Sequence, residues 1–324
     1  MQTRTKNAVP VQTGENFMRR PIAAMLAGAA LATLAAPVAA QQQEESNQTR
    51  QVLGRILDVI LGPGEQDRKD GTDAERPTVA PLTMDQVLAD PRRDGDRARD
   101  QFRHPAQTLS FFRVEPGQTV VDYMPAGGWY TRVLVPYLGS EGLYIGLTPD
   151  PAAADSERFE NYVSQLPGRF REAAPGWSLT GAPMAVYGSQ DLPEELNGQV
   201  DRVLIFREMH NLLRSGAMYT ELTRIRGLLK PDGMVGIVQH RAKENAPADY
   251  TLGANGYLRE SDVVGLMRVH GFELVDSSAI NANYRDSANH PKGVWELPPT
   301  LGTKREELRE IGESDRMTLL FRKR

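Results

Sequence analysis

From residue 83 onward, short apolar runs alternate with longer amphipathic stretches. Seven apolar runs of six or seven residues predict β-strands: TVVDYM (119–124), LYIGLT (143–148), PMAVYG (183–188), DRVLIF (201–206), MVGIVQ (234–239), FELVDSS (272–278) and MTLLFRK (317–323). The spacing of apolar residues between them predicts helices at about 129–138, 151–165, 215–229 and 260–270. Continuous apolar strands that alternate with amphipathic helices are typical of a mostly parallel sheet with helices on both faces.

The segments before the first strand and after the sixth complete this pattern. Thr83 is placed to cap a short helix through Leu88, and a longer helix is predicted from Asp96 to Phe112. No clear crossover helix separates the last two strands, which are joined by a polar excursion over residues 279–315. We therefore expect an α/β fold with seven strands, the last two forming an antiparallel pair.

Residues 1–40 have the pattern of an export signal. Two arginines follow Met18, itself a candidate start residue, and an Ala-rich apolar run leads to the small residues Val38, Ala39 and Ala40. The run is about sixteen residues long and interrupted by Pro37, which is marginal for crossing a hydrocarbon core of ~30 Å. We expect a cleaved signal peptide and export to the periplasm, with a permanent anchor as the less favoured alternative.

Residues 41–82 are rich in Gln, Glu, Asp, Gly and Pro, a composition that buries too little apolar surface to fold. They predict a disordered linker ahead of a domain at 83–324. Five apolar residues within the linker lie at helical spacing and predict a short amphipathic helix: Val52, Leu53, Ile56, Leu57 and Ile60. Such a helix either docks on the folded domain or contacts a membrane surface or a partner.

Composition and charge exclude several classes of function. The chain has no cysteine, so disulfides, thiolate metal sites and a cysteine nucleophile are excluded. Its net charge is −4, and removal of the signal, with four basic residues and one acidic residue, leaves −7. A mildly acidic protein has no general attraction for nucleic acid or anionic lipid. We therefore expect a small-molecule substrate, no nucleic-acid partner and no stable membrane anchor after cleavage.

A glycine-containing turn follows the first predicted strand, in VVDYMPAGGWYTRVL (120–134). An apolar strand ends there and a helix begins at once. Small residues let the backbone approach a ligand closely, and a helix N-terminus offers free N–H groups. This pattern indicates a site for the polar part of a nucleotide-like ligand, although such turns also use glycine for geometry alone.

This segment resembles the first motif of Rossmann-like S-adenosylmethionine-dependent methyltransferases, with PAGG in place of the usual glycine pattern. VDRVLIFREMHNLL resembles the family's fourth-strand segment, and LLKPDGMVGIVQHRA resembles its helix–turn–fifth-strand unit. Together RHPAQTLSFF, MPAGGWYT, FREMHNL and VQHRA are similar to a bacterial branch of predicted methyltransferases that carry signal sequences. The resemblance covers about residues 83–323 and implies a Rossmann-like fold, S-adenosylmethionine as cofactor, and methyl transfer to a small molecule.

The resemblance also assigns roles around the glycine turn. It implies that five residues line the methionine portion of the cofactor: Asp122, Pro125, Ala126, Gly127 and Gly128. Trp129 and Tyr130, which follow directly, either wall the pocket of the methyl donor or pack against the sheet.

The rest of the cofactor site is less regular. The family usually has an acidic ribose-binding residue at the end of the second strand, where this chain has Thr148, with Asp150 two residues later. Asp150 precedes a proline, so its alternative role is to cap a helix. Ser189 and Asp191 are the candidates near the adenine.

Two histidines are candidates for acid–base chemistry. His210 and His240 follow the carboxyl ends of adjacent predicted strands, the edge where ligands bind in open α/β sheets. An imidazole is suited to removing a proton from a hydroxyl or amine acceptor, and His210 is the first choice. Alternatively, each only forms hydrogen bonds. The spacing of these two histidines and His104 along the sequence matches no metal-binding motif, so no metal site is predicted.

Arg241, next to His240, is expected to orient an anionic acceptor, and the segments 242–258 and 279–315 to set acceptor selectivity. Two other functions compete with methyl transfer. S-adenosylmethionine is made in the cytoplasm, so an exported chain of this fold is alternatively a non-catalytic binding module. A nicotinamide-dependent oxidoreductase is disfavoured, because neither GxGxxG nor a Tyr-x-x-x-Lys pair is present.

Overall fold

The computed structural model describes residues 78–154 and 156–324, together with Gly54. The predicted signal at 1–40 and almost all of the linker, including its amphipathic helix, lie outside the described residues. By internal contacts the chain divides into two units, Met1–Gly54 and Arg55–Arg324, and the β-sheet belongs to the second. In the described part of the chain, no helix is long and apolar enough to cross a membrane.

Seven strands form one sheet in the order β3-β2-β1-β4-β5-β7-β6. They are β1 Thr119–Tyr123, β2 Leu143–Thr148, β3 Met184–Gly188, β4 Val200–Phe206, β5 Leu229–His240, β6 Phe272–Ser278 and β7 Arg316–Lys323. The first five run parallel, and β7 lies antiparallel between β5 and β6. The predicted Rossmann-like α/β fold is confirmed, and so is the antiparallel pair that ends it.

Eight α-helices accompany the sheet in the described residues. They are α1 Met84–Ala89, α2 Asp100–Arg103, α3 Pro105–Phe111, α4 Thr131–Leu138, α5 Glu157–Ala173, α6 Met209–Ser215, α7 Met218–Leu228 and α8 Glu260–Val269. Thr83 caps α1 as predicted: its hydroxyl accepts from the Gln86 amide, and the Gln86 side chain accepts from the Thr83 amide.

The predicted continuous helix over 96–112 is wrong. The chain makes a short 3₁₀ turn, then α2 and α3, with a break at His104, whose φ is 41°. His104 precedes Pro105, and the proline ring disfavours the α-helical conformation of the residue before it. Arg103, at the end of α2 and just before the break, is buried near the carboxyl ends of β1 and β4.

Two other helix boundaries differ from expectation. The helix predicted at 151–165 is a 3₁₀ turn over Pro151–Ala153 followed by α5, because Ser156 caps the helix later by accepting from the amide of Phe159. The helix predicted at 215–229 is α7 alone. Gly216, with φ of 74°, ends α6 in the left-handed conformation that glycine adopts without strain.

The central strands are buried along their whole length. Every residue of β1 and β2 is buried, as are the last four residues of β4. Strands of this kind have helices against both faces of the sheet. They form a rigid base from which the loops after β1 and β4 project.

Candidate functional site

The loops after β1 and β4 leave the sheet through left-handed conformations that are rare outside glycine. Met124 and Arg207, the first residues after these strands, have φ of 59° and 63°, and Ala126 has φ of 47°. Backbone hydrogen bonds hold them: the Met124 amide donates to Leu147 over 2.7 Å and the Arg207 amide to Val238 over 2.6 Å. Backbone strain of this kind concentrates at ligand sites.

Two adjoining cavities lie at this edge, where the chain order reverses between β1 and β4. The first, of about 380 Å³, is lined by the glycine turn and is called the glycine-turn cavity. The second, of about 300 Å³, is lined by both candidate histidines and is called the histidine cavity. They share Arg99, Arg103, Arg207 and Glu208, so they form one cleft. A larger cavity of about 520 Å³ along β3 and α5 is lined by none of the predicted site residues.

Asp122 lies at the base of the glycine-turn cavity and is 2% exposed. The Tyr144 hydroxyl donates to its carboxyl group over 2.9 Å. Burial raises the pKa of Asp122 to about 7, against the opposing effects of that hydrogen bond and of Arg207. A positively charged ligand in the cavity would favour the ionised carboxylate.

The two glycines of the turn have different surroundings. Gly127 lines the glycine-turn cavity with Pro125 and Ala126, and a Cβ added to it would meet nothing within 4 Å. Gly128 has φ of 74°, and its added Cβ would lie 2.5 Å from the ring of Trp177. Gly127 thus leaves room for a ligand, whereas Gly128, which does not line the cavity, leaves room for an indole ring.

The aromatic residues after the turn, Trp129 and Tyr130, line the glycine-turn cavity and are also buried among other side chains. The Trp129 ring lies beneath the guanidinium of Arg103, 4.4 Å from its centroid, and its indole N–H donates to the Asp96 carbonyl. Tyr130 stacks on Phe206, with ring centroids 3.6 Å apart.

Two of the predicted ribose and adenine residues, Asp150 and Ser189, lie in a separate polar cluster around Arg224. The side chain of Asp150 caps the 3₁₀ turn by accepting from the Ala152 amide, which confirms the capping role, and it pairs with Arg224 over 3.1 Å. The Ser189 hydroxyl donates to Glu221 over 2.6 Å and accepts from Arg224. None of these residues lines either cavity.

The remaining two residues of that group also have protein partners. The Thr148 hydroxyl donates to the Tyr187 carbonyl, and the exposed Asp191 accepts from the side chain of Gln190. Among the described residues at the end of β2, every carboxylate that could bind a ribose therefore already has a protein partner.

Both candidate histidines line the histidine cavity, with ring centroids 5.8 Å apart. Burial lowers the pKa of His210 to about 4, and burial together with neighbouring positive charge holds the pKa of His240 well below its usual value. The Nδ1 atom of His240 is 2.6 Å from the Ser314 hydroxyl. Both imidazoles are therefore neutral at pH 7 and weakly basic.

His104 lines neither cavity and ends α2 instead. Across 78–154 and 156–324, no three His, Asp or Glu side chains are grouped to hold a metal ion.

Glu208 is a residue that the sequence analysis missed. It borders both cavities and accepts from the Asn211 side chain over 2.7 Å. Burial raises its pKa to about 7, although the hydrogen bond from Asn211 and the charge of Arg207 oppose the shift. It lies within the FREMHNL segment, but nothing in the sequence distinguishes it from an exposed glutamate.

Arg241 does not have the role expected of it. Its guanidinium pairs with Asp315 over 3.0 Å and with Glu260 over 3.4 Å, and it lines neither cavity. The positive charge in the cleft comes instead from arginines after α1 and after β4. The excursion 279–315 does reach the site: its residues Trp295, Glu313 and Ser314 line the histidine cavity.

No model of a known protein family matches this chain, and no curated protein matches its sequence. Solved structures with similar backbones include a SAM-dependent methyltransferase from Aquifex aeolicus, at 16% identity over 62% of this chain and 94% of that chain, with a TM-score of 0.43. Geranyl diphosphate methyltransferase in complex with SAM is 14% identical over 76% of this chain and 97% of that chain, with a TM-score of 0.42.

The [4+2]-cyclase SpnF is 14% identical over 72% of this chain and 85% of that chain, with a TM-score of 0.45. Likenesses at this level say nothing about the activity of this chain. The assignment of the fold rests on the strand order and on the antiparallel position of β7. One fold supports many chemistries, so function has to be inferred from the cleft itself.

Proposed function

We propose that this chain binds S-adenosylmethionine in the glycine-turn cavity and transfers its methyl group to a small molecule in the histidine cavity. The proposal rests on the observation that the two cavities adjoin. Asp122 and Gly127 line one of them, and His210 and His240 line the other. Donor and acceptor sites that share a wall hold two reactants side by side, which supplies much of the acceleration of a transfer reaction.

The residues of the glycine turn fit the methionine end of this cofactor. Gly127 leaves space for close approach, and Asp122 presents a buried carboxyl group to a ligand that carries an ammonium and a sulfonium. When bound, S-adenosylmethionine supplies a methyl group already activated by the sulfonium. Thr148 and Asp150 fit the ribose less well, because both are engaged with protein groups. We therefore expect the cofactor to be held chiefly at its methionine end.

Glu208 is our candidate for the group that accepts a proton from the methyl acceptor. A carboxylate with a pKa of about 7 is matched to a general base near neutral pH, whereas the pKa of His210, at about 4, makes it a weaker base. His210 and His240 then orient the acceptor by hydrogen bonds as neutral imidazoles. His210, the base expected from the sequence, remains the alternative, and the pH dependence of His210→Gln and Glu208→Gln separates the two.

The second candidate function is a non-catalytic binding module on the same fold. It is favoured by the engagement of Thr148 and Asp150 with protein groups where a ribose would bind after β2. Export to the periplasm, which we infer from residues 1–40, also favours it, because S-adenosylmethionine is made in the cytoplasm. Asp122 favours the enzyme, because a turn with only a structural role has no need of a buried carboxyl group.

The two functions are distinguished by a transfer assay. The purified protein is incubated with S-adenosylmethionine and a fractionated extract of small molecules, and S-adenosylhomocysteine is measured by mass spectrometry. Formation of S-adenosylhomocysteine with wild type, and its loss with Asp122→Ala, supports methyl transfer. Binding of S-adenosylmethionine without transfer in any fraction would contradict methyl transfer to these small molecules. No binding of S-adenosylmethionine supports the binding module.

A further inference from the structure

Arginines cluster where the two cavities of the cleft meet. Among the described residues, Glu313 is the one carboxylate that pairs with three arginines: it lies 2.6 Å from Arg99, 3.0 Å from Arg316 and 3.8 Å from Arg103. One negative charge cannot neutralise three guanidinium groups. Arg99 and Arg103, which line both cavities, therefore share their one carboxylate partner with a third arginine.

Arg103 is the least satisfied member of this cluster. Its side chain is 4% exposed, its Nε makes no hydrogen bond within the described residues, and its carboxylate partner is at the limit of ion pairing. The ring of Trp129 supports it from one side only. Burial and the charge of Arg207 lower the pKa of Arg103 to about 8. Keeping a buried cation without a partner costs free energy, and a bound anion would offset that cost.

Arg207 supplies a second available guanidinium. It lines both cavities, and its side chain makes no hydrogen bond or ion pair with any residue in the described ranges. The neighbouring carboxyl group, Glu208, is bound to Asn211. The strained φ of Arg207 fixes its backbone where β4 ends, at the mouth of the cleft. A guanidinium with free N–H donors on a constrained backbone matches the paired oxygens of a carboxylate or phosphate.

We propose that Arg103 and Arg207 together bind an oxyanion of the methyl acceptor, so that the acceptors are small molecules bearing a carboxylate or phosphate group. That the anion belongs to a methyl acceptor rests on the proposed function, whereas the anion site itself rests on the geometry alone. A cavity of about 300 Å³ limits the acceptor to a compact molecule. The same chemistry has another possible source, the methionine carboxylate of the cofactor, because both arginines also line the glycine-turn cavity.

Titration calorimetry of the full-length protein with inorganic phosphate and with benzoate tests the site. Arg207→Gln removes the guanidinium, and Arg322→Gln is the matched control, since it removes an exposed arginine on β7 and changes net charge equally. We expect wild type to bind at least one of the two anions and Arg207→Gln to weaken that binding about tenfold or more, the loss of a charged hydrogen-bonding group. Arg322→Gln should change it less than about twofold. Circular dichroism confirms folding, and Arg207→Lys serves if Arg207→Gln is unfolded.

A second pair of titrations distinguishes the source of the anion. S-adenosylhomocysteine carries the methionine carboxylate, and 5′-methylthioadenosine lacks it. If the acceptor supplies the anion, Arg207→Gln leaves the affinity for both nucleosides within about threefold, and saturating S-adenosylhomocysteine leaves anion binding intact. Selective weakening of S-adenosylhomocysteine by Arg207→Gln would overturn the proposal, and so would anion binding that is absent or insensitive to Arg207. Arg207-dependent anion binding without nucleoside binding would uphold the anion site and refute the proposed cofactor.

Discussion

The buried carboxyl group of Asp122 should give the protein an unusual dependence of stability on pH. Its pKa is raised from 3.8 to about 7 in the folded protein, chiefly because burial disfavours the charged form. Below the unfolded pKa the group is protonated in both states and contributes nothing. As pH rises from 3.8 towards 7, the unfolded state releases the proton first, so the free energy of unfolding falls by about 1.4 kcal/mol per pH unit.

Over the whole window the loss amounts to about 4 kcal/mol, and relaxation around the buried charge reduces it to roughly 2–4 kcal/mol. Asp122→Asn removes the titration and keeps the shape. The amide oxygen still accepts from the Tyr144 hydroxyl, which itself is 2.7 Å from the Thr131 hydroxyl. We therefore expect Asp122→Asn to be more stable than wild type by roughly 2–4 kcal/mol at pH 8, and equal to wild type at pH 4.

Urea denaturation of both proteins at pH 4, 6 and 8 measures the difference. Asp191→Asn is the matched control, because it removes an exposed carboxyl group at the same edge of the sheet and should change stability by less than about 0.5 kcal/mol. A stabilisation by Asp122→Asn of equal size at pH 4 and pH 8 would refute the reasoning, as would a destabilisation that grows with pH.

Three further predictions concern the turn, the arginine cluster and the base. Gly128→Ala should lower the free energy of unfolding in urea by about 2–4 kcal/mol, because Gly128 has a left-handed conformation and Trp177 packs against it. Gly127→Ala should change the same quantity by less than about 0.5 kcal/mol. Arg316→Met removes the donors to the Phe102 and Ser314 carbonyls and one of the three partners of Glu313. It should cost about 1–3 kcal/mol in the same assay, against under about 0.5 kcal/mol for Arg322→Met at an exposed pair. If Glu208 is the base, the methyl-transfer rate rises as its carboxyl group ionises near pH 7. Glu208→Gln should lower kcat by about 10²–10⁴-fold and abolish this rise, and a rise that remains would contradict the role of Glu208 as base.

The sheet could be predicted from the sequence because its signal is local. Each buried strand is a continuous apolar run, and the runs lie within one or two residues of the observed strands, apart from the earlier start of β5 at Leu229. The antiparallel end of the sheet followed from the missing crossover helix. The helix over 96–112 failed because a single dipeptide, His104-Pro105, outweighs the periodicity of its surroundings.

The charged part of the cleft could not be predicted in this way. Arg99 and Glu313 are 214 positions apart, and Arg103 is buried only because Trp129 and the end of the polar excursion cover it. A sequence pattern does not distinguish a buried arginine from an exposed one. Arg241, chosen because it follows a candidate histidine, has two carboxylate partners that only the fold brings near it.

The histidines were placed correctly at the sheet edge, but their proton affinity was not predictable. Burial lowers the pKa of His210 and raises that of Glu208, two residues away, so the side chain that titrates near neutral pH is the carboxylate. Desolvation depends on the surrounding fold, and it changes which residue is the better candidate for the base.

The central claim, that the glycine-turn cavity is a site for S-adenosylmethionine, is tested most directly by calorimetric titration of the protein with S-adenosylhomocysteine. We predict binding in the micromolar range, about −8 kcal/mol, that is lost in Asp122→Ala. Gly127→Ala should weaken it while leaving stability unchanged. No heat at millimolar ligand, or equal binding by wild type and Asp122→Ala, would contradict the claim and leave only the fold.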